Sequence, residues 1–402
     1  MRGLEGNESV DLNNLNYAQR DRLNKYLDFL VQNGGSDLHI KSGSVIRGRI
    51  NGELVKFSKN VFTQQDGIEL SKVLLRTRFE ELLKNKSVDF TYALNENYRF
   101  RVNIFFQIDG ISMVFRTIPV KIPTIDELGL PESIKKICDE TMRGIILLTG
   151  PTGSGKTTTI ASMINRINQS RTSHIVTIED PVEFVFKDDK CVINQRAIGE
   201  DCNTFADSIR AALREDPDII FVGEMRDLET IETALHAAET GHLVFSTLHT
   251  VDAKETIGRI ITMFEPSEQE RIKITLAAVI EAVISQRLAK TTDDKRCAVV
   301  EIMRKNTRIK DMILEGRDGE IPDAIADGRH TYGMQTFDQH LLDLYDTGVL
   351  TKSEALDKAS KRSDLDLMMK NADLAKKQKA NLEAGQDINA GMEDEVVQLK
   401  EL

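Results

Sequence analysis

A lysine, a threonine and a cluster of glycines are the residues best suited to chemistry. Gly150-Pro151-Thr152-Gly153-Ser154-Gly155-Lys156-Thr157, with Thr158 behind it, matches the spacing G-x-x-x-x-G-K-[ST]. That spacing builds a phosphate-binding loop. Its glycines let the backbone curl until several N–H groups point inward at one anion. A following helix adds its dipole at the same point. Lys156 then supplies a fixed positive charge for the β- and γ-phosphates, and Thr157 a hydroxyl for Mg²⁺. Splitting a bound nucleotide also needs a carboxylate that orients or deprotonates water. Glu224, just past the apolar run 218–222, is placed for it. Phosphate-loop hydrolases usually have an Asp before this Glu to serve the metal. Here Gly223 stands there, so the metal falls to Thr157, water, and Glu179 or Asp180.

Other residues admit two readings. Glu224 could open a helix before Arg226-Asp227, and Glu179-Asp180 could be a turn before Pro181. His242 and His249 bracket the apolar stretch that ends in Ser246-Thr247-Leu248, where they could sense a γ-phosphate or couple subunits. Taken singly, each also reads as a structural histidine. Thr247 is a candidate polar sensor and nucleotide contact. Arg99, Arg101 and Arg116 fall on predicted strands, where charges commonly form a solvated face. Arg210 and Arg214 could simply pair with nearby acids.

The elements that must hold these groups follow from periodicity. Ile145 to Leu148 reads as a buried strand, and Ile160, Met163, Ile164 and Ile167 recur at helical spacing. Strands at His174–Ile178, Asp218–Val222 and Leu243–Ser246 alternate with helices at Thr204–Glu215 and Leu228–Glu239. A small hairpin, Val182–Phe186 with Cys191–Gln195, interrupts the series. Alternation of this kind predicts a parallel sheet covered on both faces, a RecA-like P-loop core over 124–290. Active groups then belong at the carboxyl ends of the strands. Lys156, Glu179, Glu224 and Thr247 all fall there.

Ahead of the core, residues 1–19 read as a disordered N-terminus and 20–118 as an α+β domain. Its first helix carries Leu23, Tyr26, Leu27, Leu30 and Val31 on one face and stops at Asn33-Gly34-Gly35. Asn51-Gly52 predicts a tight hairpin turn, a helix spans about 64–84, and three more strands run to Ile118. Pro119 to Pro123 reads as a semi-rigid linker, and Thr124 with Glu127 as a capping box opening the next helix. Beyond the core, 291–369 begins with a strand, Ala298–Met303, and is then mostly helical, with a second capping box at Thr351 and Glu354. The polar tail, 370–402, reads as a solvated helix or as disorder.

Composition narrows the function classes. A chain of 402 residues implies two or three domains. Its net charge of −11 argues against a general nucleic-acid binder. The longest apolar run, Ile274–Ile284, is too short to span a membrane and is broken by Glu281. No signal-peptide core opens the sequence, so a cytosolic location is expected. The four cysteines, at 138, 191, 202 and 297, form no ligand pair, so reduced thiols rather than zinc are expected.

Several longer segments resemble one family. These are the phosphate loop with its following threonines, I-E-D-P-V-E at 178–183, I-R-A-A-L-R-E-D-P-D at 209–218, V-G-E-M-R-D-L-E-T-I at 222–231 and T-G-H-L-V-F-S-T-L-H-T at 240–250. They resemble the secretion-ATPase superfamily, and most closely its type IV pilus retraction motors. G-S-D-L-H at 35–39, F-R-V-N at 100–103, V-F-R-T-I-P at 114–119 and G-M-Q-T-F-D-Q at 333–339 extend the likeness over roughly 20–362. The stretch Thr307–Glu315 matches the retraction motors' C-terminal helical motif only in part, and the tail beyond 370 is more like that of the accessory retraction ATPases.

The resemblance implies a PAS-like N-terminal α+β domain, a RecA-like core, C-terminal helices and a homohexameric, ATP- and Mg²⁺-dependent ring. It places Glu179 and Asp180 in an acidic box, makes Glu224 the Walker B glutamate, and pairs His242 with His249. Arg101 and Arg116 are implied to approach phosphates at the interface. Implied partners are an inner-membrane pilus platform protein and a second retraction ATPase, at the inner face of the inner membrane; no nucleic acid is expected. An assembly or type II secretion motor of the same superfamily, and a nucleic-acid translocase, are the alternatives. Assembly motors typically carry an extra N-terminal domain and a four-cysteine zinc element, and the retraction branch is expected because neither pattern is found.

Overall fold

A computed structural model describes residues 17–96, 98–118 and 121–383. The expected disordered segment up to residue 16, Pro119 and Val120 of the expected linker, and the tail beyond 383 lie outside the described residues. Packing divides the chain into two compact units, Met1–Ile122 with Ile175–Ala211, and Pro123–His174 with Ala212–Leu402.

The first unit is organised by a six-stranded sheet: β1 (Gly35–Lys41), β2 (Ser44–Ile50), β3 (Glu53–Phe62), β4 (Ser87–Ala93), β5 (Arg99–Gln107) and β6 (Gly110–Ile118). Its order is β3-β2-β1-β6-β5-β4, and every neighbouring pair is antiparallel. Asn51 and Gly52 both take positive φ, 49° and 87°, as a two-residue hairpin turn requires. Period-two alternation puts Leu38, Ile40, Phe100, Val102, Ile104, Met113 and Phe115 on one buried face. The helix Ala18–Gln32 covers that face with Leu23, Leu27 and Leu30. Full burial of each such side chain is worth about 1.5–3 kcal/mol. The expected helix over 64–84 is instead two, Gln64–Leu75 and Phe79–Asn85, parted at Arg76, whose φ is 51°.

The larger sheet comprises β7 (Gly144–Thr149), β8 (His174–Glu179), β9 (Val192–Ala197), β10 (Ile219–Val222), β11 (Leu243–Leu248), β12 (Ile280–Lys290) and β13 (Arg296–Arg304). Its strands from the second unit are ordered β13-β12-β7-β11-β10, and β8 and β9 belong to the first unit. β10, β11, β7 and β12 run parallel in that succession, and β13 closes on β12 antiparallel. Every residue of β7, β10 and β11 is buried, which is why their sequences are continuous apolar runs. Helices at Lys156–Ser170, Leu228–Glu239, Ala253–Thr262 and Gln269–Val279 belong to the second unit.

Two sequence expectations fail locally. Thr124 and Glu127 do exchange both capping-box hydrogen bonds, but they close a turn. Gly129, at φ 64°, and Pro131 follow too soon for a helix, which starts only at Glu132. The hairpin arm Val182–Phe186 is not a strand, because side chains replace its ladder. Gln195 accepts from Phe186 N–H and donates to Phe184 O, while Asp188 accepts from Ile193 N–H.

Beyond β13 the chain is helical through Thr307–Glu315, Ile321–Asp327, Arg329–Tyr332, Phe337–Asp346, Lys352–Lys358 and Arg362–Glu383. Phe337, Leu341, Leu350, Ala355, Leu365 and Met369 form a small core against Ala289 and Val299. Arg287 of β12 ties this region down. Its guanidinium lies 3.8 Å from the centre of the Phe337 ring and donates to Lys358 O and Ser360 Oγ at 2.9 and 3.2 Å.

Candidate active site

The phosphate loop leaves the carboxyl end of β7 and enters the helix Lys156–Ser170. Gly150, Gly153 and Gly155 take φ of 137°, 80° and 89°. A Cβ on Gly150 would come within 2.3 Å of Gln286 O, so that glycine is required by space as well as by backbone conformation. Lys156 is buried, and its Nζ donates to Gly150 O at 2.7 Å and Pro151 O at 3.1 Å. Ser154 Oγ is buried with no hydrogen-bond partner among the described residues. An orphaned hydroxyl beside curled backbone and an ammonium group suits a multiply charged phosphate.

The fit to Mg²⁺ is of a different kind. Among the described residues no cluster of three His, Cys, Asp or Glu side chains could cage a metal. Magnesium at nucleotide sites uses one or two protein oxygens with water and phosphate oxygens, and Thr157, at the start of the loop's helix, offers one such oxygen.

Glu224 follows β10 and its side chain is 16% exposed, partly sheltered yet open to a small reactant. Its carboxylate meets Arg226 Nε at 2.7 Å and His249 Nε2 at 3.7 Å. His249 leaves the carboxyl end of β11, so the strand beside β10 brings the second partner. Thr247 donates from Oγ1 to Gly223 O at 2.7 Å and accepts Met225 N–H at its own carbonyl. These two bonds straddle Glu224. They hold its backbone and give the Thr247 hydroxyl a positioning task.

Not every expected site residue gathers here. His242 precedes β11, at the amino end of a strand whose six residues span about 20 Å. Its Nδ1 contacts Ala237 O and Thr240 Oγ1, so it closes the end of the preceding helix. Expected as a nucleotide contact, His242 lies at the opposite end of the parallel strands from the loop of its own chain.

Residues of the first unit form their own groupings. Glu179 ends β8 nearly fully buried and accepts from Thr177 Oγ1, Gln195 Nε2 and Glu183 N–H. Burial pushes its carboxyl up to about 7, against the lowering effect of those donors. Asp180, the other expected metal ligand, is exposed. Arg101 and Arg116 stand directly opposite each other on β5 and β6, and both are exposed. Two like charges in that position repel. Asp37, next in the same row on β1, offsets this by accepting Arg116 Nε at 2.7 Å. The Arg116 and Ser36 hydrogen bonds outweigh burial and hold the Asp37 carboxyl below its ordinary range.

Sequence reading missed Gln286 and its neighbours. Thr149 Oγ1 donates to Ser285 Oγ at 2.9 Å, and Gln286 touches both the loop and its helix. The available signal was the β-branched pair Val283-Ile284 past Glu281, followed by Ser285-Gln286-Arg287 and Leu288.

Comparison with known proteins gives the family. Residues 15–371 match the family described as Type II/IV secretion system protein. The type IV pilus retractation ATPase PilT of Pseudomonas aeruginosa is 42% identical over 341 residues, covering 84% of this chain and 98% of the relative. A twitching motility protein of Neisseria gonorrhoeae is 47% identical over 273 residues, covering 68% and 72%. A crystal structure of the pilus retraction motor PilT with bound ADP superposes with a TM-score of 0.78 at 40% identity, covering 86% of this chain and 98% of that one. With an intact phosphate loop and Glu224 at the next strand ends but one, the chain is a P-loop ATPase of the Type II/IV secretion system protein family.

Proposed function

We propose that this protein is the motor of type IV pilus retraction, a homohexameric ring that converts ATP hydrolysis into pilus disassembly and twitching movement. The observation that carries this reading is similarity to a retraction ATPase along nearly that relative's whole length. The loop amides and Lys156 bind and orient the phosphates. Water attacks the γ-phosphorus, the bond to the bridging oxygen breaks, and ADP leaves. Glu224 orients that water and takes its proton, while His249 and Arg226 hold the carboxylate in place. Thr157 would hold Mg²⁺, with Glu179 and Asp180 as acidic-box residues serving it, and the ion would supply charge neutralisation at the phosphate oxygens. Arg101 and Arg116 act on the phosphates of a neighbouring subunit.

The ring works against an inner-membrane platform protein from the cytoplasmic face, alongside a second retraction ATPase. Attachment to that face is peripheral on this reading; no described helix is long and apolar enough to cross a membrane. Deleting the gene tests the reading. The expected cells keep or gain surface pili and lose twitching. Bald cells would indicate an extension motor instead. Salt-sensitive stimulation of hydrolysis by DNA or RNA would indicate a translocase.

A further inference from the structure

The nucleotide reading above accounts for the loop but not for the residue built against it. Gln286 lies on β12, one residue past the pair that aligns Ser285 with Thr149 at the end of β7. It is 2% exposed, and both ends of its amide are engaged. Nε2 donates to Ser154 O at 2.7 Å, and Oε1 accepts from Thr159 Oγ1 at 2.8 Å. The partners fix the orientation of the amide, because a backbone carbonyl can only accept. Its backbone carbonyl fills the space beside Gly150, and its Nε2 lies 2.8 Å from where a Cβ of Gly155 would stand. Gln286 therefore meets the loop at its start, its middle and its last glycine, and also meets the first turn of the helix behind it.

We propose that Gln286 is a positioning residue for the nucleotide: it holds the phosphate loop in its curled form and thereby sets affinity, without touching the reacting atoms. The proposal rests on the phosphate-loop reading. Chemistry favours glutamine at this place. Asparagine is one carbon short, methionine fills the space with neither bond, and an ionised glutamate presents an acceptor to the Ser154 carbonyl. A loop freed from Gln286 must be re-ordered by the nucleotide when it binds, and that ordering lowers affinity. Glu224 and its partners are untouched, so turnover once nucleotide is bound should hardly change.

The test uses the full-length protein, a fluorescent ADP for affinity and steady-state ATP hydrolysis. Gln286→Met is expected to weaken ADP binding and raise KM about 10- to 100-fold, the range set by two neutral hydrogen bonds, with kcat within about threefold of wild type. Thr159→Val removes one of the two bonds and should give a smaller loss. The double variant should be no worse than Gln286→Met. Gln286→Glu supplies a readout that simple packing would not move. Its deficit relative to wild type should shrink as pH falls from about 8 to about 6, because the protonated carboxyl regains a donor in a buried site. Unchanged affinity in folded Gln286→Met, or a Gln286→Glu deficit independent of pH, would overturn the role of Gln286 alone. A wild-type protein that bound no nucleotide would overturn the phosphate-loop reading with it.

Discussion

Glu301 allows a stability prediction with a sign that runs against intuition. It lies on β13, is 6% exposed, and accepts Ala253 N–H at 2.9 Å where the helix Ala253–Thr262 begins. Burial pushes its carboxyl from 4.5 up to about 7, with the Ala253 bond pulling the other way. A raised carboxyl keeps its proton in the folded chain after the unfolded chain has released it. Stability from this group is therefore present below about 4.5 and is lost as pH rises through about 7. The difference amounts to about 3 kcal/mol at pH 8 and under about 1 kcal/mol at pH 5.

Glu301→Gln keeps an oxygen for Ala253 N–H and cannot ionise. It should stabilise the protein at pH 8 by roughly 2–3 kcal/mol, an increase in Tm of about 4–10 °C for a unit of this size. At pH 5 the gain should nearly vanish. Glu179 titrates over the same window, but equally in both proteins, so it cancels from the comparison. Thermal unfolding without nucleotide at the two pH values measures the effect. A Tm difference between variant and wild type that is the same at pH 5 and pH 8 would refute the argument.

Lys156→Ala should lose nucleotide binding, because the loop loses its only fixed charge, whereas Glu224→Gln should bind normally and lose hydrolysis by at least about a hundredfold; wild-type turnover in Glu224→Gln would remove the catalytic assignment. Mixing Arg116→Ala subunits with Lys156→Ala subunits should restore part of the hydrolysis that each lacks alone, since some interfaces then combine an intact arginine with an intact loop. No recovery in verified mixed rings would count against action between subunits.

The phosphate loop was legible because type and spacing are both dictated by chemistry: three glycines at positive φ and a lysine fall within eight residues. The place of Glu224 just past a strand was legible from the apolar run before it. β12 was not. The helix Gln269–Val279 passes straight into it at Ile280, whose φ and ψ of −63° and 127° change the chain's path without a glycine or proline to mark the change. Gln286 therefore stayed hidden, being recognisable only once its strand lies beside β7. His242 and His249 looked like a pair in sequence, yet a parallel strand separates them end to end. Local capping chemistry at Thr124 was read correctly and its consequence was not, because two bonds shape a turn whether or not a helix follows.

Successive residues of a strand point to opposite faces. Gln286 grips the phosphate loop and Arg287, one peptide bond away, grips the C-terminal helices through Phe337, Lys358 and Ser360. β12 is hydrogen-bonded on both sides, to β7 and β13, and so resists bending. The strand is thus a stiff strut with the phosphate loop on one flank and the C-terminal helices among the described residues on the other. The two grips sit on adjacent residues, with no loop between them.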